Sequence, residues 1–174
     1  MPGRGVATSS RRGLAAVAAL VALSGCRFVP VEDTAASEIP EAEGQETVRI
    51  EHIVPEGVTR LPVFTPAVRV GDLVFLSGAI GTPPGGEMRI VEGGVGPETR
   101  ATMENVRRIL EAAGLGFEDL VKCTVFLADI EDYAAMNDVY ITYFEEIEPP
   151  ARSAMAGSGL ALGARVEIEC IAAA

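Results

Sequence analysis

Apolar and polar residues alternate along several short stretches of this chain, and two longer stretches carry a helical period. Thr47 to Val54 alternates as a strand. Ala67–Val70 and Leu73–Ser77 read as two strands joined by Gly71-Asp72, a dipeptide suited to a tight hairpin. Gly81 to Gly96 holds glycines, prolines and few apolar residues, which predicts a loop with at most a short strand at Met88–Val91. Pro97 suits the first turn of a helix. Met103, Val106, Ile109, Leu110 and Ala113 then recur at a spacing near 3.6 until Gly114. Val121, Cys123, Val125 and Leu127 alternate again. Asp129 is placed to cap a second helix, whose stripe of Tyr133, Met136, Val139, Tyr140, Tyr143 and Phe144 reads as core packing, and Pro149-Pro150 ends it. Arg152–Ala156 and Arg165–Ala172 are the last strands, joined by the glycine-bearing segment GSGLALGA. This order predicts an α+β domain with helices layered on one face of a mixed sheet.

The N-terminal segment is read separately. Arg4, Arg11 and Arg12 precede an apolar run, residues 13–25, that is too short for an ordinary membrane span of about 20 residues. Leu23-Ser24-Gly25-Cys26 follows directly and resembles a bacterial lipobox, in which the cysteine is acylated and becomes the mature N-terminus. An ordinary signal peptide with a chance cysteine, or a misplaced start, is the alternative. Arg11-Arg12 leaves the twin-arginine and general export routes both open. The residues therefore divide as 1–25 signal peptide of the lipoprotein type, 26–46 tether and 47–174 folded domain. Glu32 to Glu46 carries six acids and no base, a composition for a solvated tether rather than a packed segment. The expected location is the bacterial cell envelope, lipid-anchored through Cys26, with no other membrane contact.

Charge and composition narrow the chemistry. The chain has 174 residues, a formal net charge of −11 and one histidine, His52. The acidic balance argues against nucleic acid as a partner. No histidine–cysteine cluster has metal-ligand spacing, and neither a GxGxxG nor a Walker loop calls for a nucleotide cofactor. Cys123 and Cys170 lie in apolar strand patterns and read first as small buried hydrophobes, although an exported chain can oxidise such a pair. Against this background Arg152 and Glu167 stand out. Alternation places Arg165, Glu167, Glu169 and Ile171 on one strand face, and Val166, Ile168 and Cys170 on the other. The plain reading of that charged face is solvation. The chemical reading joins Arg152, whose planar fork suits a carboxylate, to Glu167, which can orient a water. The connection between the last two strands is expected to bring them close, forming a small pocket for a carboxylated ligand.

PAVRVGDLVFLSGAI (66–80), ENVRRILEAAGLGFEDLVKCTVFL (104–127), NDVYITYF (137–144), PARS (150–153) and VEIECIA (166–172) resemble, in order, the signature segments of the RidA/YjgF family. The resemblance implies a chorismate-mutase-like α+β fold, a homotrimer with pockets in clefts between subunits, and cofactor-free hydrolysis of reactive 2-imino acids, formed from enamines such as 2-aminoacrylate, to 2-keto acids and ammonia. It makes Arg152 the residue that grips the substrate carboxylate and Glu167 the one that positions or activates water. Ser77 matches a pocket serine and Asn137 a frequent asparagine of the second helix. Three positions depart from the common pattern. Phe64 stands where many members have a tyrosine, Ala79 where a glutamine is usual, and Ala154 where a cysteine is frequent, a side chain that is dispensable if the position acts through its backbone carbonyl. The resemblance thus implies an enzyme similar to 2-iminobutanoate/2-iminopropanoate deaminase. A module that binds small carboxylates without catalysis, and a hydrolase of another enamine or amide metabolite, are the alternatives.

Overall fold

The computed structural model describes residues 48–58 and 61–174. The expected leader, the expected acylation site Cys26 and the expected acidic tether lie outside the described residues. The elements, in chain order, are β1 (Ile50–Ile53), β2 (Ala67–Val70), β3 (Leu73–Leu76), β4 (Ala79–Ile80), α1 (Val95–Ala112), β5 (Leu120–Leu127), α2 (Tyr133–Tyr140), β6 (Ala151–Ala156) and β7 (Val166–Ala173). They form one mixed sheet in the order β1-β2-β3-β7-β5-β6, with β4 also paired to β7. All pairs are antiparallel except β5 with β6. That parallel pair needs a crossover, which α2 supplies.

Local chemistry explains most of the boundaries. Gly71 turns the β2–β3 hairpin at φ 59°, a conformation open to glycine without steric penalty. The end of α1 is a Schellman motif: Leu115 N–H donates to Leu110 O at 2.9 Å, and Gly114 N–H to Glu111 O at 3.0 Å. Gly114 holds the required left-handed backbone at φ 74°. α1 begins at Val95, so Pro97 sits in the first turn, where no intrahelical N–H partner is needed. The expected short strand at Met88–Val91 is absent. The short pairing segment lies earlier in the chain, at Ala79–Ile80, which form β4 against Ile168 and Glu167 of β7. Asp129 caps a 3-10 turn, Ile130–Asp132, by accepting from Glu131 N–H at 3.0 Å, and α2 follows it.

Both helices cover the same face of the sheet. Met103, Val106, Ile109 and Leu110 of α1 and Met136 and Tyr140 of α2 pack on Val125, Leu127, Val166 and Ile168. Truncating a fully buried Leu110 or Met103 to alanine should cost about 2–5 kcal/mol. Two expectations need correction. Tyr133 does not join the core; it is 40% exposed and lies against Arg152. Cys123 and Cys170 are not merely small hydrophobes. They face each other across β5 and β7 and form a disulfide, because the register sets their Cα atoms 4.1 Å apart.

The start of β7 is held by a polar cluster built on two buried carboxylates, Glu98 and Asp132. Glu98, in the first turn of α1, accepts from Arg165 N–H at 2.7 Å and Val166 N–H at 3.1 Å. Burial raises its pKa, and those two backbone bonds offset part of the rise. Arg165 grips Asp132 with both arms of its guanidinium, at 2.8 and 2.6 Å. These contacts fix the strand one residue before Glu167.

Candidate active site

Arg152 and Glu167 are not neighbours within the chain, and this overturns the expectation that one connection brings them together. Arg152 lies opposite Cys123 on β5, and Glu167 opposite Phe126. They sit on strands either side of β5 and are offset by about 10 Å along it, at roughly 3.3 Å per residue. Paired residues share a face and adjacent residues alternate. Arg152 therefore shares the face of the buried Cys123, toward α2, while Glu167 shares the opposite face with Phe126. The site residues fall into two halves.

The first half is a cationic clamp. Arg152 Nη1 donates to Asn137 Oδ1 at 2.6 Å, and Nη2 to the Tyr133 hydroxyl oxygen at 3.2 Å. Its guanidinium carbon lies 4.7 Å from the ring centroid of Tyr140 and 5.8 Å from that of Tyr133, within cation–π range. Asn137 thus has a concrete role: it orients the arginine. The Tyr133 phenol is pulled below the usual tyrosine range, first by the Asn137 side chain and then by the Arg152 charge. Tyr140 behaves oppositely. Burial pushes its pKa up to about 12, with Arg152 opposing, and its hydroxyl has no hydrogen-bond partner among the described residues. Ala154, two residues further along β6, shares the Arg152 face and packs against the core.

The second half is a pocket of about 220 Å³ that contains Phe64, Ser77 and Glu167 but not Arg152. Ser77 Oγ donates to Thr65 O at 2.7 Å, and Ser77 N–H to Pro66 O at 2.9 Å, so this serine ties β3 to the segment carrying Phe64. Glu167 is half-buried, and its carboxyl rests against the Cα of Gly78. A methyl group there would lie 2.0 Å from Glu167 Oε1. The glutamate pKa is raised, first by desolvation and then by the neighbouring Glu169 charge. Ala79 opens β4 and faces the core.

Sequence reasoning missed Gly78, Tyr133 and Tyr140. The tyrosines had a signal, since Tyr133 and Asn137 are four residues apart and so share a helix face. Gly78 had none, because its importance comes from a side chain nearly ninety positions away.

The mixed α+β sheet layered by two helices carries the Arg152 clamp on β6 and the pocket beside Glu167 at β4 and β7, two features that one chain keeps apart. The family model described as endoribonuclease L-PSP matches residues 59–174. The chain belongs to this family, the RidA/YjgF proteins. A 2-iminobutanoate/2-iminopropanoate deaminase of Capra hircus is 44% identical over 109 residues, which is 63% of this chain and 78% of that protein. Among solved structures, the YjgF gene product of E. coli superposes with a TM-score of 0.66 at 35% identity, covering 71% of this chain and 98% of that one. E. coli TdcF with bound serine gives 0.66 at 34% identity, over 71% and 98%.

Proposed function

We propose that this protein hydrolyses 2-imino acids to 2-keto acids and ammonia, in a site completed by a second copy of the chain. The carrying observation is the division of the site. Arg152 sits on an edge strand, ready to hold a carboxylate, and Glu167 sits on the other sheet face beside an apolar pocket. A ring of three copies brings the clamp of one subunit to the pocket of the next. The substrate carboxylate pairs with the Arg152 fork, while Asn137 and Tyr133 fix the fork's plane. Glu167 accepts a proton from water as the oxygen adds to the imine carbon, and passes that proton to the imine nitrogen. In the tetrahedral carbinolamine Glu167 then takes the hydroxyl proton and delivers it to the amine nitrogen, so that the C–N bond breaks, ammonia leaves, the C2–oxygen bond becomes the ketone and the carboxylate is regenerated. A raised pKa suits Glu167 to this work, since a base is most effective with a pKa closer to neutrality.

The names of similar proteins support this reading, and E. coli TdcF binds serine, an amino acid with the same α-carboxylate. The family description names an endoribonuclease, but a net charge of −11 opposes binding of a polyanion. Binding without catalysis remains the second reading, favoured by Phe64, which lines the pocket with no hydroxyl, and by the engagement of the Ser77 donor with Thr65. A coupled assay separates the two. An enzyme that releases 2-aminoacrylate is run beside the purified chain, and 2-keto acid formation is followed. Faster conversion than in buffer supports hydrolysis. Binding of small carboxylates, lost in Arg152→Ala but without acceleration, supports the binding module.

We further propose export and lipid anchoring at Cys26. The support is the leader pattern together with the Cys123–Cys170 disulfide, a bond that persists chiefly in oxidising compartments. Two acyl chains give stable attachment where one is marginal. In detergent phase separation the wild type should enter the detergent phase and Cys26→Ser the aqueous phase. A wild type found in the aqueous phase contradicts the anchor.

A further inference from the structure

The pocket beside Glu167 is much larger than the side chain of a two- or three-carbon amino acid needs. It measures about 220 Å³. A dry cavity of about 150 Å³ lined by aliphatic and aromatic side chains accommodates benzene, whereas one water occupies roughly 30 Å³. A methyl group, comparable in size to that water, leaves most of the space unfilled. The walls are Val58, Leu61, Phe64, Met88, Ile109 and Leu162. Polar groups at its base are already engaged. Asn105 Nδ2 donates to Ile80 O at 2.9 Å and to Thr82 O and Oγ1 at 3.1 Å. Asn105 Oδ1 accepts from Arg108 Nη1 at 2.8 Å. The interior is therefore apolar in chemistry as well as in lining, while Ser77 and Glu167 mark one side as polar.

Leu162 adds an independent sign. It is the one non-glycine residue among those described with positive φ, at φ 56° and ψ 16°. Leucine is disfavoured in that conformation, and such strain persists where surrounding structure holds it, often at ligand sites. Three glycines, Gly157, Gly159 and Gly163, stand in the same loop, yet this pocket-lining position is a leucine. The strained backbone sets an apolar side chain at the pocket wall.

We propose that this site takes 2-imino acids with a bulky apolar side chain, branched aliphatic or aromatic, and that this side chain occupies the pocket walled by Phe64, Met88 and Leu162. The proposal rests on the imine-hydrolysis reading and names its substrate class. The imine carbon lies at the Glu167 side, the carboxylate reaches the Arg152 clamp of the adjoining subunit, and the side chain points away from both. Phe64 fits this arrangement, since a bare ring adds apolar surface where a hydroxyl would need a partner.

The test generates imines in place with an L-amino acid oxidase acting on alanine, leucine or phenylalanine, and measures how strongly the full chain competes with semicarbazide for each imine. The leucine and phenylalanine imines should give a kcat/KM at least about tenfold above the alanine imine, as even one methylene in an apolar pocket is worth roughly that factor. Leu162→Gly, which relieves the backbone strain and removes the wall, should lower that ratio severalfold. Met88→Trp, which narrows the pocket, should lower it as well. In parallel, calorimetry compares 4-methyl-2-oxopentanoate and phenylpyruvate with pyruvate. Hydrolysis of all three imines with the alanine imine equal or preferred overturns the substrate class and leaves the imine-hydrolysis reading standing. No hydrolysis, but tighter binding of the two larger oxo acids, overturns hydrolysis and supports the assignment of the pocket. No hydrolysis and no dependence of binding on side-chain size overturns both.

Discussion

Gly78→Ala isolates the position of the Glu167 carboxylate from every other property of the site. Gly78 does not have the left-handed backbone that would strain an alanine, so the main effect is steric. The new methyl would lie 2.0 Å from Glu167 Oε1, 2.9 Å from Cδ and 3.0 Å from Cγ. An ordinary contact begins near 3.4 Å, so the carboxylate must retreat by about 1.4 Å. It is the far end of a half-buried, flexible side chain and can do so without disturbing the core. Replacing glycine also restricts the unfolded chain, a stabilising effect of about 0.4–1 kcal/mol. Stability should therefore stay within about 1 kcal/mol of wild type, a shift of a few degrees in Tm. Catalysis should suffer more, because a misplacement of roughly 1 Å can lower a rate about 100-fold. The coupled imine assay should show the loss mainly in kcat. Glu167→Asp draws the carboxylate back by one methylene, so adding Gly78→Ala to it should have little further effect, a non-additivity expected of residues in contact. A folded Gly78→Ala enzyme with activity within threefold of wild type would refute the reasoning.

Other expected outcomes follow from the same geometry. The acid limb of the pH–rate profile should lie above the ordinary glutamate range, and Glu169→Gln, by removing the like charge, should move it to lower pH. Because the folded pKa of Glu167 is raised above its usual 4.5, its contribution to stability is fully present below that value and is lost as pH rises through the folded pKa; Glu167→Gln should therefore raise Tm at pH 7 while lowering kcat. Arg152→Lys should fail nearly as badly as Arg152→Ala, since an ammonium cannot bridge Asn137, Tyr133 and a carboxylate in one plane, and KM for each imine should report it. Reducing Cys123–Cys170, which closes a separation of 47 residues, should lower stability by about 4 kcal/mol on the chain-entropy account, read as the difference between urea unfolding curves with and without reductant.

The strands and helices were legible where local chemistry decides them. Gly71-Asp72 and Gly114 mark turns whose backbone demands glycine, and alternation in β7 separated its buried face from its charged face. β4 escaped because two residues carry no period. The division of the site escaped for a related reason. Alternation sets the phase within one strand, but whether Arg152 and Glu167 share a face depends on how β6 and β7 register against β5. That register is set by packing across the sheet. The disulfide had the same origin: Cys123 and Cys170 each looked like a buried hydrophobe, and only their pairing across two strands joined them. The clamp residues were half visible, since Asn137 was singled out but its partner Tyr133 was assigned to the core.

The central claim, a site shared between subunits, is tested most directly by mixing two inactive variants. Arg152→Ala and Glu167→Gln are unfolded together at equal concentration, refolded, and assayed for imine hydrolysis against each variant refolded alone. With a site built from Arg152 of one copy and Glu167 of the next in a ring, random mixing restores an intact pair at about one site in four, so roughly a quarter of wild-type activity should return. If both residues act within one chain, every site retains a defect, and the mixture should remain as inactive as its components.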